Sequence, residues 1–517
     1  MPIIINKSHK KYSKYIWQRN EDVPLETDLT TITLQSKAST YAMAVTDDDY
    51  LLHLHWGAKV NGDLSYILFG KNPYTLAENL RDKGTFMDSV PFEYPCHGTG
   101  DYREPSIMVM DKNNASTVDL KFKGVEVIPG KPKLDGLPAT FGDNCETAVV
   151  TLEDDYLKLR AELLYTVFDD LDVITRSVKL TNFSSDTIYI TRVLSSSVDF
   201  NRADFDMLTV NGSWARERIP SRAPLHKGRQ SVESVKGESS HQSNPFFALL
   251  SHNADEENGE VYGFNFCYSG DFYGGAEVTQ HDFTRAVMGL NYFDFSWKLE
   301  PGETFTAPEC IMVYSSAGLG QMSRTYHDLY RNNLIRSKWN KKLRPVLINN
   351  WEATYFNFDT DKLIAIAKEA AVCGIDMLVM DDGWFGHRDS DNSSLGDWKV
   401  YEKKLPGGLS KLVSEVNALG MKFGLWFEPE MVSPDSDLYR AHPDWAIHIE
   451  GRELTQSRGQ YVLDFSNPDV RENIKAQMKA ILDSANIEYI KWDMNRQLTE
   501  IASSYLPTDR QRELRHR

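Results

Sequence analysis

The stretch Tyr489–Arg496, Tyr-Ile-Lys-Trp-Asp-Met-Asn-Arg, is a short apolar run that ends in charged and polar side chains. Side chains of a strand alternate faces, so Lys491, Asp493 and, where the extended geometry continues, Asn495 point the same way. A carboxylate between an ammonium and an amide suits a nucleophile, because the cation favours the ionised form. The same residues also read as a strand end closed by an ion pair of Asp493 with Lys491 or Arg496, and the segment alone does not separate the two readings.

The elements that would position this carboxylate start after Pro345, where apolar strands alternate with helices. Val346–Ile348 leads to Asn349-Asn350-Trp351-Glu352. The spacing of Leu363, Ile364, Ala367, Ala370 and Ala371 predicts a helix after Asp359 that stops near Gly374. Ile375–Met380 is an apolar strand ending in Asp381-Asp382-Gly383-Trp384. A helix with Leu409, Leu412, Val413, Val416 and Leu419 stops at Gly420, and the strand Met421–Phe427 ends in Glu428-Pro429-Glu430. Asn467-Pro468 opens a helix in cap and first-turn positions, with Val470, Ile474, Met478, Ile481 and Ala485 inward. Between Pro429 and Asn467 only Asp435–His442 offers a helix, too short for a parallel crossover. Trp445–Ile449 and Gln460–Phe465 therefore read as a hairpin in a long loop, with Arg458 above the strand ends; Gln460–Phe465 as a further barrel strand is the alternative.

Strands buried on both faces, each followed by a helix, read as a parallel sheet whose C-terminal ends form one rim. That rim collects Trp351, Asp381, Asp382, Trp384, Trp426, Glu428, Glu430, Arg458, Lys491 and Asp493. It holds no His/Cys cluster at metal-ligand spacing, no phosphate-cradling glycine loop and no G-x-S-x-G elbow, so neither a metal nor a cofactor is expected. Carboxylates with tryptophans match what a sugar needs: polar groups for hydroxyls, flat apolar faces for the ring, acids for glycosidic chemistry. Asp381 and Asp382 alternate in direction, so one of the two at most should point fully inward unless the strand bends at Gly383. Glu428 and Glu430 read as holding Arg458 or a loop.

From about Thr31 to Tyr314 the pattern is short alternating runs broken by Asn, Gly, Asp and Ser. Val173–Thr181, a turn at Asn182-Phe-Ser-Ser, and Thr187–Leu194 read as an antiparallel pair with one wet face. Turns are also expected at Asn211-Gly212, Asn258-Gly259 and Pro301-Gly302, and the whole reads as a large sandwich. Such a domain can bind sugar, make oligomer contacts or support its neighbour, and support is the preferred role. Trp56 and Asp101-Tyr-Arg-Glu-Pro read as a buried tryptophan and a satisfied ion pair rather than ligand groups. Leu319, Met322, Tyr326, Leu329 and Tyr330 recur at helical spacing. The domains expected are therefore a sandwich over residues 1–317, a helical connector over 318–345 and a catalytic unit over 346–517.

With 57 basic and 74 acidic residues the formal charge is −17, which argues against nucleic acid or an anionic membrane as main partner. Met1–Asn20 is lysine-rich without a signal-peptide core, and no apolar run is long enough to span a bilayer, so a cytoplasmic location is expected. The five cysteines are far apart and read as buried thiols.

Four ordered stretches carry a resemblance: Met380-Asp-Asp-Gly-Trp-Phe-Gly386, Trp426-Phe-Glu-Pro-Glu-Met431, Arg458-Gly-Gln-Tyr-Val-Leu-Asp464 and Lys491-Trp-Asp-Met-Asn-Arg496. Together they resemble the signature stretches of the α-galactosidases of glycoside hydrolase family thirty-six. The resemblance implies a retaining hydrolase that releases terminal α-galactose from melibiose- or raffinose-type sugars. It also implies a β-sandwich followed by an eight-stranded (β/α) barrel, and often a homotetramer. By position it makes Asp493 the nucleophile, Asp381, Asp382, Arg458, Lys491 and Asn495 galactose-binding groups, and Trp351 and Trp426 subsite walls.

The resemblance stops short at the C-terminal end. A complete barrel takes about 250 residues, more than Val346–Arg517 supplies, and four strands are legible. The family's acid/base aspartate, which follows a glycine- and cysteine-rich motif, has no counterpart, so the chain reads as an incomplete form holding about the first half of the barrel. A non-catalytic galactose-binding scaffold and a transglycosylase of the raffinose-synthase type are the alternatives.

Overall fold

The computed structural model describes residues 2–13, 24–46, 48–62, 64 and 87–517. The lysine-rich stretch read for a leader lies partly outside these residues. Two compact units are formed, Met1–Asn340 and Lys341–Arg517.

In the first unit the described residues form antiparallel sheets of four, six and ten strands. The two larger sheets share one core, to which the ten-stranded sheet contributes Phe247 and Phe264, stacked at 4.6 Å, and the six-stranded one Met288 and Val198. The expected hairpin of Val173–Thr181 with Thr187–Leu194 is not formed. Val173–Asn182 pairs with Leu159–Phe168 and Glu309–Ser315 in the ten-stranded sheet, whereas Ile188–Phe200 pairs with Thr284–Leu290 in the six-stranded sheet. The link crosses between layers because Asn182 ties it down, its amide donating to Asp186 O and Leu299 O at 2.9 Å each. Nor is there a wet face: only Lys179 of Val173–Asn182 is less than buried, since both sides of the strand are packed. The turns at Asn258-Gly259 and Pro301-Gly302 are present, each glycine with positive φ, while Asn211-Gly212 is a bulge two residues before its turn.

Trp56 is buried among Phe200, Tyr262 and Phe264. The Asp101 run is likewise structural: Arg103 and Arg285 both bridge Asp101 and Asp199, and Glu104 pairs with Arg192 and Arg229. A second buried cluster centres on Glu93, which accepts from Tyr41 and Tyr165 at 2.6 and 2.7 Å and pairs with Arg176 at 3.0 Å. Burial pushes its carboxyl up, but the Arg176 charge and the hydrogen bonds outweigh this and hold it below the usual range.

The stretch expected to be a connector does not stand apart. Its helix, Gly318–Asn333, buries Met322, Tyr326 and Leu329 against Val261, Ile311 and Val313 of the first unit.

In the second unit Leu347–Asn349, Met377–Met380, Lys422–Phe427 and Tyr489–Trp492 form a wholly parallel sheet in sequence order. Consecutive order without a reversal is what a barrel uses; a doubly wound sheet would switch. Asp359 caps the first long helix, Thr360–Val372, by accepting from Lys362 N, and the chain leaves it through Gly374 at φ +79°. Asn467 caps Pro468–Asp483 in the same way, with proline in the first turn. The loop reading of the excursion holds. Met431–Val432 pairs antiparallel with Tyr461–Val462, and Ala446 bridges Leu463, so Gln460–Phe465 is outside the parallel sheet. Of the five cysteines expected to be buried, Cys145 and Cys310 are, Cys96 and Cys267 are only partly so, and Cys373, which closes the first long helix, is exposed.

Candidate active site

All four sheet strands deliver polar groups at their C-terminal ends. After the first strand, Asn349 donates from Nδ2 to Asp381 Oδ2 at 2.5 Å and accepts from Trp351 N at 2.7 Å. Asn350, fully buried, accepts from Asp381 N at 2.8 Å. Asp381, after the second strand, also accepts from Lys491 Nζ at 2.7 Å. Lys491 lies on the fourth strand, two places away, and flat neighbouring strands would set these backbones about 10 Å apart. The ammonium therefore reaches across the third strand, which places Asp381 and Lys491 on one surface.

Asp382 points elsewhere, as alternation requires. Both its oxygens are taken by Arg388, Nε at 2.6 Å and Nη2 at 2.8 Å, with both side chains buried. Burial raises the Asp382 carboxyl above its usual range, against the pull of Arg388. Arg388 was not legible as a site residue.

Asp493 is partly exposed and is not paired with Lys491 or Arg496, so the cation expected to hold it ionised is committed to Asp381 instead. Its Oδ2 accepts from Trp426 Nε1 at 3.0 Å and from Asn495 Nδ2 at 2.8 Å, and its backbone N donates to Phe427 O at 2.8 Å.

Trp426 is 1% exposed, which corrects its expected place as an open subsite wall. It sits in an aromatic cluster with Trp384, Phe385, Trp398 and Phe427, at ring distances of 4.5 to 6.2 Å, and only its N–H edge serves the site. Trp384 is core for the same reason and donates to Trp426 O at 3.0 Å. Trp351 is partly exposed, held edge-on by Tyr355 and Phe356.

Arg458 is exposed at a tight turn in which Ser457 and Gln460 exchange backbone hydrogen bonds, with φ +54° at Arg458 and +68° at Gly459. The left-handed region costs an arginine some backbone strain. Its partner is Asp391, at 3.4 Å. Neither glutamate holds it, contrary to expectation: Glu428 accepts from Gln460 Nε2 at 3.1 Å and Asn495 N at 2.6 Å, and Glu430 accepts from Trp492 Nε1 at 3.0 Å.

The family model for melibiase matches residues 304–517, and that for the glycosyl hydrolase family 36 N-terminal domain matches residues 49–300. Alpha-galactosidase AgaA of Geobacillus stearothermophilus is 47% identical over 489 residues, covering 94% of this chain and 67% of its own length. The chain belongs to the α-galactosidases of glycosyl hydrolase family 36. Alpha-galactosidase Mel36A of Lactobacillus acidophilus is 44% identical, with 94% and 67% covered. The crystal structure of AgaA superposes with a TM-score of 0.92 over 94% of this family 36 chain and 68% of AgaA. A doubly substituted AgaA in complex with raffinose superposes with a TM-score of 0.91. The family 36 chain thus spans about two thirds of the length of these relatives.

Proposed function

We propose that the chain carries the galactose-binding and nucleophilic half of a retaining α-galactosidase acting on raffinose- and melibiose-type sugars. The observation that carries this reading is the setting of Asp493: a partly exposed carboxylate with two neutral donors on one oxygen, beside the Asp381–Lys491 pair. Asp493 attacks the anomeric carbon, the glycosidic bond breaks with its electron pair on the leaving oxygen, and water later hydrolyses the galactosyl ester. Lys491 and Asp381 bind sugar hydroxyls on the rim, Arg458 reaches down from its turn, and Trp351 covers the ring. Asn495 and Trp426 hold the nucleophile.

Among the described residues the other carboxylates of this rim are already engaged: Asp382 with Arg388, Asp381 with Lys491 and Asn349, Glu430 with Trp492, and the fully buried Glu428 with Asn495 and Gln460. We place the acid that protonates the leaving oxygen in the part of the relatives' length that this chain does not span. The relative that binds raffinose supports the substrate class, and the family resemblance supports a homo-oligomer.

An aryl α-galactoside with a good leaving group bypasses the acid. A burst of phenol equal to the protein concentration, absent in Asp493→Asn, is the result expected. A folded chain giving no burst would leave a scaffold that only binds.

Among the described residues no helix is long and apolar enough to cross a membrane.

A further inference from the structure

Behind the nucleophile lies a carboxyl group that the proposed reaction does not use. Glu428 follows the third sheet strand and has no exposed surface. Where the fourth strand ends at Trp492, the regular ladder to the third strand stops after Asp493 N–Phe427 O. The next rung is supplied by a side chain, with Asn495 N donating to Glu428 Oε1 at 2.6 Å. The other oxygen, Oε2, accepts from Gln460 Nε2 at 3.1 Å, in the turn that carries Arg458. Asn495 in turn donates from its side chain to Asp493 Oδ2.

We propose that Glu428 is the positioning residue of the nucleophile, fixing Asn495 on Asp493 and tying both to the turn that presents Arg458. The proposal rests on reading Asp493 as the nucleophile. A carboxylate accepting a backbone N–H binds it about twice as strongly as a neutral acceptor does, so the ionised form of Glu428 holds Asn495 more firmly than the acid form.

The surroundings put the change between these forms within reach. Burial is the main cause that pushes the Glu428 carboxyl up to about 7; the Asn495 hydrogen bonds oppose it, while the charges of Asp493, after the fourth strand, and Asp382, after the second, add to it. The cations nearest in the network are committed elsewhere, Arg388 to Asp382 and Lys491 to Asp381. Gln460 is 1% exposed and its Oε1 has no hydrogen-bond partner. Its amide can meet either form of Glu428, donating to the carboxylate or, turned over, accepting from the acid.

The test uses a 5-fluoro-α-galactosyl fluoride, which needs no acid. Attack by Asp493 forms the ester bond at the anomeric carbon while the carbon–fluorine bond breaks and fluoride leaves with its electron pair. The rate of label uptake, followed by intact-protein mass and mapped to Asp493, should rise through about pH 7. In E428Q, which keeps shape and hydrogen-bonding groups but has no charge to gain, label is taken up without that rise. In E428A it should slow about a hundredfold, as a misplaced reacting group does. A rise that persists in E428Q, or unaltered labelling by E428A, overturns the proposal. No labelling of the unaltered chain overturns the nucleophile assignment and the proposal with it. Infrared difference spectra of the unaltered chain give a readout independent of reaction: an un-ionised carboxylic acid band present below about pH 7, lost above it, and absent from E428Q. If the unaltered chain lacks this band, the proposal fails whether or not the variants fold.

Discussion

The indole N–H of Trp426 donates to Asp493 Oδ2 at 3.0 Å, from a ring that is otherwise wholly enclosed. A hydrogen bond to a charged group contributes about 1.5–3 kcal/mol. Trp426→Phe keeps the aromatic packing and removes that donor. Burst release from an aryl α-galactoside should slow by about ten- to a hundredfold, with the burst amplitude unchanged.

The two arginines of the site should separate in their effects. Arg388→Ala strands Asp382 in the interior, and breaking such a buried pair costs about 3–5 kcal/mol. Arg458→Ala breaks an exposed contact to Asp391 and should cost less than about 1 kcal/mol, while weakening galactose binding measured by calorimetry. Urea unfolding of both variants decides: equal losses of stability would refute the division.

Acidity should act on stability through Glu428. Its carboxyl titrates at about 7 in the folded chain against 4.5 when exposed. The folded state therefore holds a proton that the unfolded state has lost between these values, and stability falls as pH rises through that window. The loss is on the order of 3 kcal/mol, complete above about pH 7 and absent below about 4.5. Urea midpoints for the unaltered chain should decline across this range relative to those of E428Q, whose curve lacks this component.

In the first unit Glu93 is the counter-ion of Arg176, with both fully enclosed. Glu93→Gln leaves the guanidinium uncompensated, and thermal unfolding should reveal a destabilisation of about 3–5 kcal/mol.

What the sequence made legible follows the range of the forces involved. Asp359, Gly374 and Asn467-Pro468 marked helix ends correctly because capping is decided within four residues. The face shared by Lys491, Asp493 and Asn495 was also legible from strand alternation. Their partners were not, because these depend on which strands are neighbours: the third strand brings Trp426 to Asp493, and the curvature of the sheet brings Asp381 to Lys491. Arg388 sits in a loop without periodicity, so nothing in its spacing points back to Asp382. The pairing of Val173–Asn182 failed for a related reason, since alternation shows that a segment is a strand but not which sheet takes it.

The crossing of layers at Asn182 also bears on synthesis. Val173 finds its ladder partner at Val313, 140 positions later, while Ile188–Phe200 waits for Thr284–Leu290. Such high contact order slows folding, and a ribosome must deliver nearly the whole first unit before either large sheet can close. Until then the nascent chain presents unpaired strands, which makes this interval the natural one for chaperone engagement.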